Sequence, residues 1–256
     1  MTALLADWDR PYFLEPGGEP LLFYAVYGTF GSLPPLPTSE FRSAGTPPEC
    51  ELSHYDSQKH RDVLAQFKEG YLWDQLLVEN SALAAAIDDS EECLILRMER
   101  DDSETLNYLR DCVGLITFLL DHGGITVYDP LMFKWWSPQE WRTCIFEPGS
   151  PVPRHHVVIL TSEEPEPNLT WFHTRGMRKF GRPDLSIHNV SAELNDAAID
   201  LCNRFIEFQG FGGVIPEGQA IRMKSLPAGM TCHHGGSVDD PDFNNFHVEI
   251  CWPECG

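Results

Sequence analysis

The sequence is short of positive charge. It has 18 Lys and Arg residues against 39 Asp and Glu residues, a formal net charge of −21 over 256 residues. Because phosphate groups are bound by locally concentrated Lys and Arg, this balance argues against DNA, RNA and anionic membranes as direct ligands. It favours a basic protein as partner, since complementary charge accelerates encounter and suppresses wrong partners. A purely solubilising charge is the alternative.

Long apolar runs and a secretory leader are also missing. The longest apolar runs, such as CVGLITFLL with its single Thr, are shorter than the roughly 20 residues that a membrane-spanning helix needs. The start MTALLADWDRPYFLE has neither the basic flank nor the apolar centre of a signal peptide. The eight cysteines are scattered, most of them inside apolar runs, as reduced core thiols are. These absences predict a cytoplasmic protein without a membrane contact.

Motifs whose spacing is imposed by a catalytic mechanism are absent as well. The sequence contains no Gly-rich phosphate loop, nucleophile elbow, zinc-protease helix or kinase signature. The stretch GFGG lacks the lysine and the spacing of a phosphate loop, and is typical of the turn that ends a helix. We therefore expect no enzyme and no cofactor, and we assign no catalytic or metal-binding residue.

One cluster keeps an enzymatic alternative open. TCHHGG and FHVEICWPECG near the C-terminus carry zinc-type ligands. Against a zinc site, two of the cysteines are four residues apart on an apparent strand, with no Cys-x-x-Cys knuckle. The alternative is thus a zinc- or cysteine-dependent enzyme that uses the residues Cys232, His233, His234, His247, Cys251 and Cys255.

The sequence does contain ample core material and a mixture of helix and strand patterns. Apolar runs such as PLLFYAVYG, ECLILRM and FHVEICW indicate strands, and apolar residues spaced three and four apart indicate helices. We predict an α+β fold: a mixed or antiparallel sheet with helices packed on one face. The turn-rich segment EPGSPVPR divides it into lobes 1–150 and 151–256, unless the chain forms one continuous domain. A helix, a Gly-Gly pair and a strand follow one another in each half, which is the pattern expected if the two lobes are copies of a duplicated unit.

A local concentration of basic residues interrupts this acidic chain. WFHTRGMRKFGRPDLSIHNV, residues 171–190, holds Arg175, Arg178, Lys179 and Arg182. Its aromatic residues, glycines and proline make it amphipathic and turn-rich. The negative field of the remaining chain opposes an anionic ligand, so we interpret this basic segment as structural, with its bases paired to internal carboxylates.

Clusters of carboxylates are the clearest charge signal. Residues 88–104 contain eight acids and two arginines, and the acids flank the predicted strand ECLILRM. Two further clusters, EEPEP and DDPD, are typical of exposed loops. Such loops serve either as a partner surface or only for solvation.

Four stretches carry a family resemblance: DHGGITVYDP followed by SPQEW, then the basic segment, then GFGGVIPEGQAIRM. Over roughly residues 90–225 they are similar to bacterial α+β immunity proteins encoded beside polymorphic toxins. The chain resembles most the immunity proteins paired with restriction-endonuclease-fold nuclease effectors of type VI secretion. The resemblance implies a binding protein without catalysis, and it carries over no individual binding residue.

Together these features predict an immunity protein that neutralises a cognate toxin, a nuclease, by acidic complementarity to its DNA-binding cleft. An interaction module unrelated to toxins is a third possibility. The sequence does not predict an oligomeric state. The partner-binding candidates are Glu91, Glu92, Asp101 and Asp102, with Asp239, Asp240 and Asp242 as the competing patch.

Overall fold

The fold is described from a computed structural model that defines residues 5–253. The chain folds into two compact units. Within the described residues, unit 1 comprises 5–8, Leu21–Arg100 and Thr105–Pro151, and unit 2 comprises Asp9–Pro20, Asp101–Glu104 and 152–253. Each unit has one five-stranded sheet and accompanying helices, which confirms the predicted α+β class.

The sheet of unit 1 is antiparallel, with the strand order β2-β3-β1-β4-β5. Its strands are β1 Leu21–Gly28, β2 Cys50–Asp56, β3 Glu92–Glu99, β4 Gly124–Asp129 and β5 Lys134–Trp136. The apolar run of β1 lies at the centre and pairs with β3 over its whole length. Its helices are α1 Arg61–Ala65, α2 Tyr71–Glu79, α3 Ser81–Asp88, α4 Asn107–Asp121 and α5 Pro138–Glu140, which continues as a π-helix over Trp141–Phe146.

Helices cover both faces of this sheet. Ala25 and Tyr27 of β1 belong to a core cluster with buried residues of α1, α2 and α3. Tyr24, whose side chain points the opposite way in a strand, packs edge-on against Trp141 and lies beside Cys112 of α4. The prediction of helices on one face is therefore wrong for unit 1. The physical reason is that LLFYAVYG is apolar at both odd and even positions, so both of its faces need cover.

The sheet of unit 2 is mixed, with the strand order β6-β7-β8-β10-β9. Its strands are β6 Val158–Glu163, β7 Leu169–Arg175, β8 Asp184–Ser191, β9 Thr231–Ser237 and β10 Asn245–Cys251. Strands β8 and β10 are parallel, whereas the other pairs are antiparallel. Helix α6, Asn195–Gly210, packs on one face, where a core forms around Phe172, Leu185 and Val248.

The succession of helix, glycine and strand occurs in both units but joins the strands differently. In unit 1, α4 connects β3 to β4, which run parallel because each is antiparallel to β1 between them. In unit 2, α6 connects β8 to β9, which run antiparallel because β10 between them is parallel to one and antiparallel to the other. The units thus share a local succession but differ in sheet topology.

No helix within residues 5–253 combines the length and the apolar character required to cross a bilayer.

Candidate functional site

A helical hairpin in unit 1 carries a long acidic stretch of the chain. Residues 69–92 contain seven carboxylates and no Lys, Arg or His. We call this segment the acidic hairpin; it consists of α2, α3 and the turn that leads into β3. Its carboxylates are Glu69, Asp74, Glu79, Asp88, Asp89, Glu91 and Glu92.

Four buried side chains fix the acidic hairpin to the sheet. Trp73 and Leu76 of α2 and Ala84 and Ile87 of α3 join the core cluster of unit 1. Their spacing of three residues places each pair on one helix face. The chain reverses at Asn80, whose side-chain oxygen accepts a hydrogen bond from the Leu83 amide at 3.1 Å and so caps α3. The hairpin is therefore held as a defined surface.

The opposite face of α2 exposes large apolar side chains among the acids. Tyr71 is 78% exposed and Val78 is 86% exposed, and Leu77 beside them is also exposed. Tyr71, Asp74 and Val78 follow the spacing of three and four that places residues on one helix face. A Tyr and an aliphatic residue bordered by carboxylates can supply both an apolar anchor and an attractive field to a basic protein surface.

Glu91 and Glu92, two of the predicted partner-binding residues, lie at the end of the acidic hairpin. Glu91 is exposed. The carboxylate of Glu92 accepts a hydrogen bond from the Phe30 amide and lies 3.2 Å from His54 Nε2. Glu91 thus presents its charge outward, whereas Glu92 is partly engaged within unit 1.

Asp101 and Asp102 belong to unit 2 and differ sharply in environment. Asp101 is exposed. Asp102 is only 9% exposed and bridges two buried guanidinium groups, Arg10 at 2.5 Å and Arg182 at 2.6 Å. Because its charge is used inside the protein, we do not retain Asp102 in a partner surface.

The competing patch, Asp239, Asp240 and Asp242, forms the loop between β9 and β10. Asp239 and Asp242 are exposed. Asp240 is half-buried, and its Oδ1 accepts hydrogen bonds from the amides of Asp242 at 2.9 Å and Phe243 at 3.3 Å. Asp240 therefore shapes the loop, and two carboxylates remain as outward charges.

The basic segment is built into the core of unit 2. Arg175, Lys179 and Arg182 are buried, and their donors reach backbone carbonyls: Lys179 Nζ, for example, donates to the His156 oxygen at 2.8 Å. Arg178 donates to the Asn244 oxygen at 3.1 Å. Three of the four bases are thus withdrawn from solvent, as a structural role requires. The predicted pairing with an internal carboxylate is seen at Arg182, whose Nη1 lies 2.6 Å from Asp102, whereas the acceptors described for Arg178 and Lys179 are backbone oxygens.

A buried carboxylate completes this core. Asp184 accepts hydrogen bonds from the Thr174 hydroxyl at 2.9 Å, the Met177 amide at 3.2 Å and the Asn245 amide group at 2.8 Å. Burial raises the pKa of Asp184 to about 6, against the lowering effect of these hydrogen bonds and of Arg175. The turn between β7 and β8 is therefore organised around one internal acid.

An aromatic stack that sequence reasoning missed lies on the face of the second sheet opposite α6. The Trp171 ring lies between the imidazoles of His173 and His188, with ring centroids 4.0 and 4.8 Å away. Phe243 packs edge-on against Trp171 and His173. Burial, followed by the nearby charge of Arg175, lowers the pKa of His173 to about 4. The sequence contained a sign of this stack, because Trp171 and His173 are two positions apart on β7 and therefore face the same side of the sheet, which His188 of β8 also faces.

The C-terminal Cys and His residues do not gather into a ligand set in the described chain. Cys232 is buried in the core of unit 2. His233 Nδ1 lies 2.7 Å from Glu217, and His234 Nε2 lies 2.7 Å from the Ile215 carbonyl oxygen. Among residues 5–253, no three His, Cys, Asp or Glu side chains are arranged to hold a metal ion. Cys255 lies outside the described residues.

Comparison of the chain with protein-family models, with curated proteins and with solved structures gives no match in any of the three.

Proposed function

We propose that this chain is a protein-binding inhibitor without catalytic activity: a cytoplasmic immunity protein that neutralises a toxic nuclease effector. The observation that carries the proposal is the acidic hairpin, a segment anchored to the core of unit 1, with seven carboxylates and no basic residue in its own sequence, and with exposed Tyr71 and Val78. The resemblance to immunity proteins of nuclease effectors agrees with this reading.

The physical argument starts from what a nuclease must present. A cleft that binds DNA concentrates Lys and Arg, because phosphate contacts dominate the affinity for nucleic acid. An acidic surface is attracted to such a cleft, and complementary fields raise the association rate by orders of magnitude at low salt. The field alone adds little lasting affinity, so the complex also needs apolar anchors. Tyr71 and Val78 provide these anchors on the same helix face as Asp74.

The charge distribution of unit 1 supports the choice of this surface. Between Lys68 and Arg97 the chain has no other base, and Lys68 itself is engaged: its Nζ donates to the Ile87 oxygen at 2.7 Å and lies 3.5 Å from Asp88. Glu91 extends the same surface, and Asp239 with Asp242 forms a second acidic patch in unit 2.

The first experiment is an affinity pull-down of the tagged chain from lysate of its native host at low and high salt. We expect a basic protein to be retained, and its nuclease activity to fall in proportion as the chain is added to the purified partner. A retained partner whose activity is unchanged by saturating amounts of this chain contradicts inhibition.

The second experiment locates the surface. The double variant Asp74→Lys/Glu79→Lys should lower the association rate constant and weaken the affinity tenfold or more, and Tyr71→Ala should mainly raise the dissociation rate constant. Glu163→Lys/Glu166→Lys is the matched control, because it changes the net charge equally at exposed positions of unit 2.

The outcomes separate the two acidic patches. A loss confined to Asp239→Lys/Asp242→Lys moves the interface to the loop between β9 and β10 and contradicts the hairpin assignment. If all three charge-reversal variants bind the partner as tightly as the wild type does, the acidic-surface mechanism as a whole is contradicted. Circular dichroism of each variant checks that the fold is retained.

A further inference from the structure

Unit 2 contains a concave site between α6 and the segment that follows Gly218. Its volume is about 560 Å³, within the range of pockets that hold small organic molecules. Leu201, Phe205, Ile221 and Met223 supply its apolar lining. Its charged lining residues are Asp200, Arg204, Arg222 and Lys224.

Both walls of this pocket are fixed by the fold. One wall is the middle of α6, where Leu201 is buried in the core of unit 2 and Phe205 packs against that core. The other wall is pinned to the strand region 230–232, since the Ile221 amide donates to the Met230 oxygen at 2.9 Å and the Cys232 amide donates to the Gln219 oxygen at 3.0 Å. Contacts within unit 2 therefore hold both walls of the cavity in place.

The charge of the pocket is opposite to that of its surroundings. By sequence, unit 2 has 20 acidic and 9 basic residues, and four of those bases are buried: Arg10, Arg175, Lys179 and Arg182. Of the five that remain, three line this one pocket, together with a single carboxylate. An acidic unit that concentrates its surface bases around an apolar cavity has the composition of a site for an anion.

Two of the three bases are available to a ligand. Arg204 is neutralised by Asp200, whose Oδ2 lies 3.0 Å from both Nε and Nη2 of Arg204. Arg222 and Lys224 are exposed, and no hydrogen bond or ion pair of the described residues engages their side chains. Met223 and Ile221 line the cavity together with them, so charged groups and apolar groups border the same cavity.

We propose that this pocket binds a small amphipathic anion, with an acidic headgroup on Arg222 and Lys224 and an apolar body against Leu201, Phe205 and Ile221. The headgroup is a carboxylate or a phosphate monoester, because a guanidinium and an ammonium group recognise both. The apolar body is stabilised by burial against Leu201, Phe205 and Ile221. The site is independent of the acidic hairpin and of the proposed inhibitory function.

The test is isothermal titration calorimetry of the full chain with four probes: hexyl phosphate, hexanoate, hexanol and inorganic phosphate. We expect at least one of the two hexyl anions to bind with a Kd below about 1 mM, and hexanol and inorganic phosphate to bind at least tenfold more weakly. The tighter of the two hexyl anions identifies the headgroup. Binding of hexanol as tight as that of the anions, or no binding of either anion at 10 mM, overturns the proposal.

Substitution then assigns the headgroup contacts. Arg222→Gln/Lys224→Gln should weaken binding of the hexyl anion at least tenfold. Arg154→Gln, at an exposed base of the same unit that does not line the pocket, should leave it within twofold. Equal weakening in both variants indicates only a general effect of charge and overturns the assignment. A thermal melt of each variant separates loss of binding from loss of folding.

Discussion

Removal of the Asp102 carboxylate tests most directly how unit 2 is held together. This side chain lies 2.5 Å from Arg10 Nη1 and 2.6 Å from Arg182 Nη1, and the two arginine side chains are 0% and 1% exposed. The substitution Asp102→Asn preserves the volume but withdraws the anion that both cations share. Two guanidinium groups then remain buried without it.

The expected cost follows from what the arginines retain. Arg10 still donates to the Phe180 oxygen at 2.8 Å, and Arg182 still donates to the oxygens of Gly212 at 2.8 Å and Gly213 at 3.1 Å. These carbonyls compensate part of each charge but carry no full negative charge. Breaking a buried ion pair by removing one partner costs about 3–5 kcal/mol. With a urea m-value of about 2 kcal/mol/M, the unfolding midpoint should fall by about 2 M.

Urea unfolding followed by tryptophan fluorescence measures this shift, and hydrogen exchange of the peptide that contains Arg182 localises it to unit 2. Glu104→Gln is the control, because it removes one charge from an exposed position of the same short segment. It should change the free energy of unfolding by no more than about 0.5 kcal/mol. Equal stability of the two variants refutes the reasoning, since the shared carboxylate then contributes nothing beyond surface charge.

Three further predictions concern individual titratable groups. The pKa of Asp184 is raised to about 6 in the folded state, so protonation of this group stabilises the fold as the pH falls from about 6 to about 4. The free energy of unfolding of the wild type, relative to that of Asp184→Asn, should rise by about 1–3 kcal/mol over this pH range. Urea unfolding curves measure this difference, and a difference that does not change with pH contradicts the prediction. The pKa of His173 is lowered to about 4, so its imidazole should stay neutral at pH 5.5 in an NMR titration. A histidine in the unfolded chain is protonated at that pH, so acidification from pH 6.5 to 4 lowers the free energy of unfolding through this residue. An NMR titration midpoint of His173 above pH 6 refutes the prediction. Burial raises the pKa of Cys93 and Cys202 to about 12, whereas a hydrogen bond with Cys112 lowers the pKa of the partly exposed Cys50. Iodoacetamide at pH 8 should therefore modify Cys50 faster than Cys93 or Cys202. Equal modification rates of the three thiols, followed by mass spectrometry, contradict this order of reactivity.

Elements defined by neighbouring residues could be predicted from the sequence. The spacing of Ser137 and Glu140 in SPQEW is that of a capping box, and the two residues form one, with the Glu140 amide 3.2 Å from the Ser137 hydroxyl oxygen. The apolar runs of β1, β3 and β10 are strands. Ser103 is a residue type that commonly caps a helix, yet α4 begins at Asn107 after Leu106. The Asn107 side-chain oxygen accepts a hydrogen bond from the Trp8 amide, a contact across 99 positions that the local pattern does not contain.

Strands that depend on their partners were the ones missed. TCHHGGS has little intrinsic preference for a strand, yet it forms β9 because it pairs with β10 at seven consecutive positions. QAIRM has the alternation of a strand, but only Ala220 forms a bridge, and the segment instead lines the anion pocket. Pairing across the sheet decides such cases, and the sequence pattern alone cannot show it.

The same distinction applies to the candidate site. The acids around Glu91 were visible in the sequence as part of the cluster at residues 88–104, but their place at the end of an exposed helical hairpin was not. Asp102 looked equivalent to Asp101, but its burial depends on two arginines, 92 residues before it and 80 residues after it. Whether a carboxylate faces solvent or an internal cation is a property of tertiary packing.

Because unit 2 is assembled from three distant segments of the chain, it can be completed only late in translation. Arg10 donates to a carbonyl oxygen 170 residues further along, so at about 5–20 residues per second the ribosome adds this acceptor roughly 10–30 s after Arg10. All five strands of the first sheet are translated before Val152. The stretch Asp9–Pro20 is therefore synthesised before unit 1 is complete and before the acceptor of Arg10 exists. Unit 2 is completed by the last part of the chain but depends on its beginning, and a shortened gene product that starts after residue 20 should leave it unable to mature.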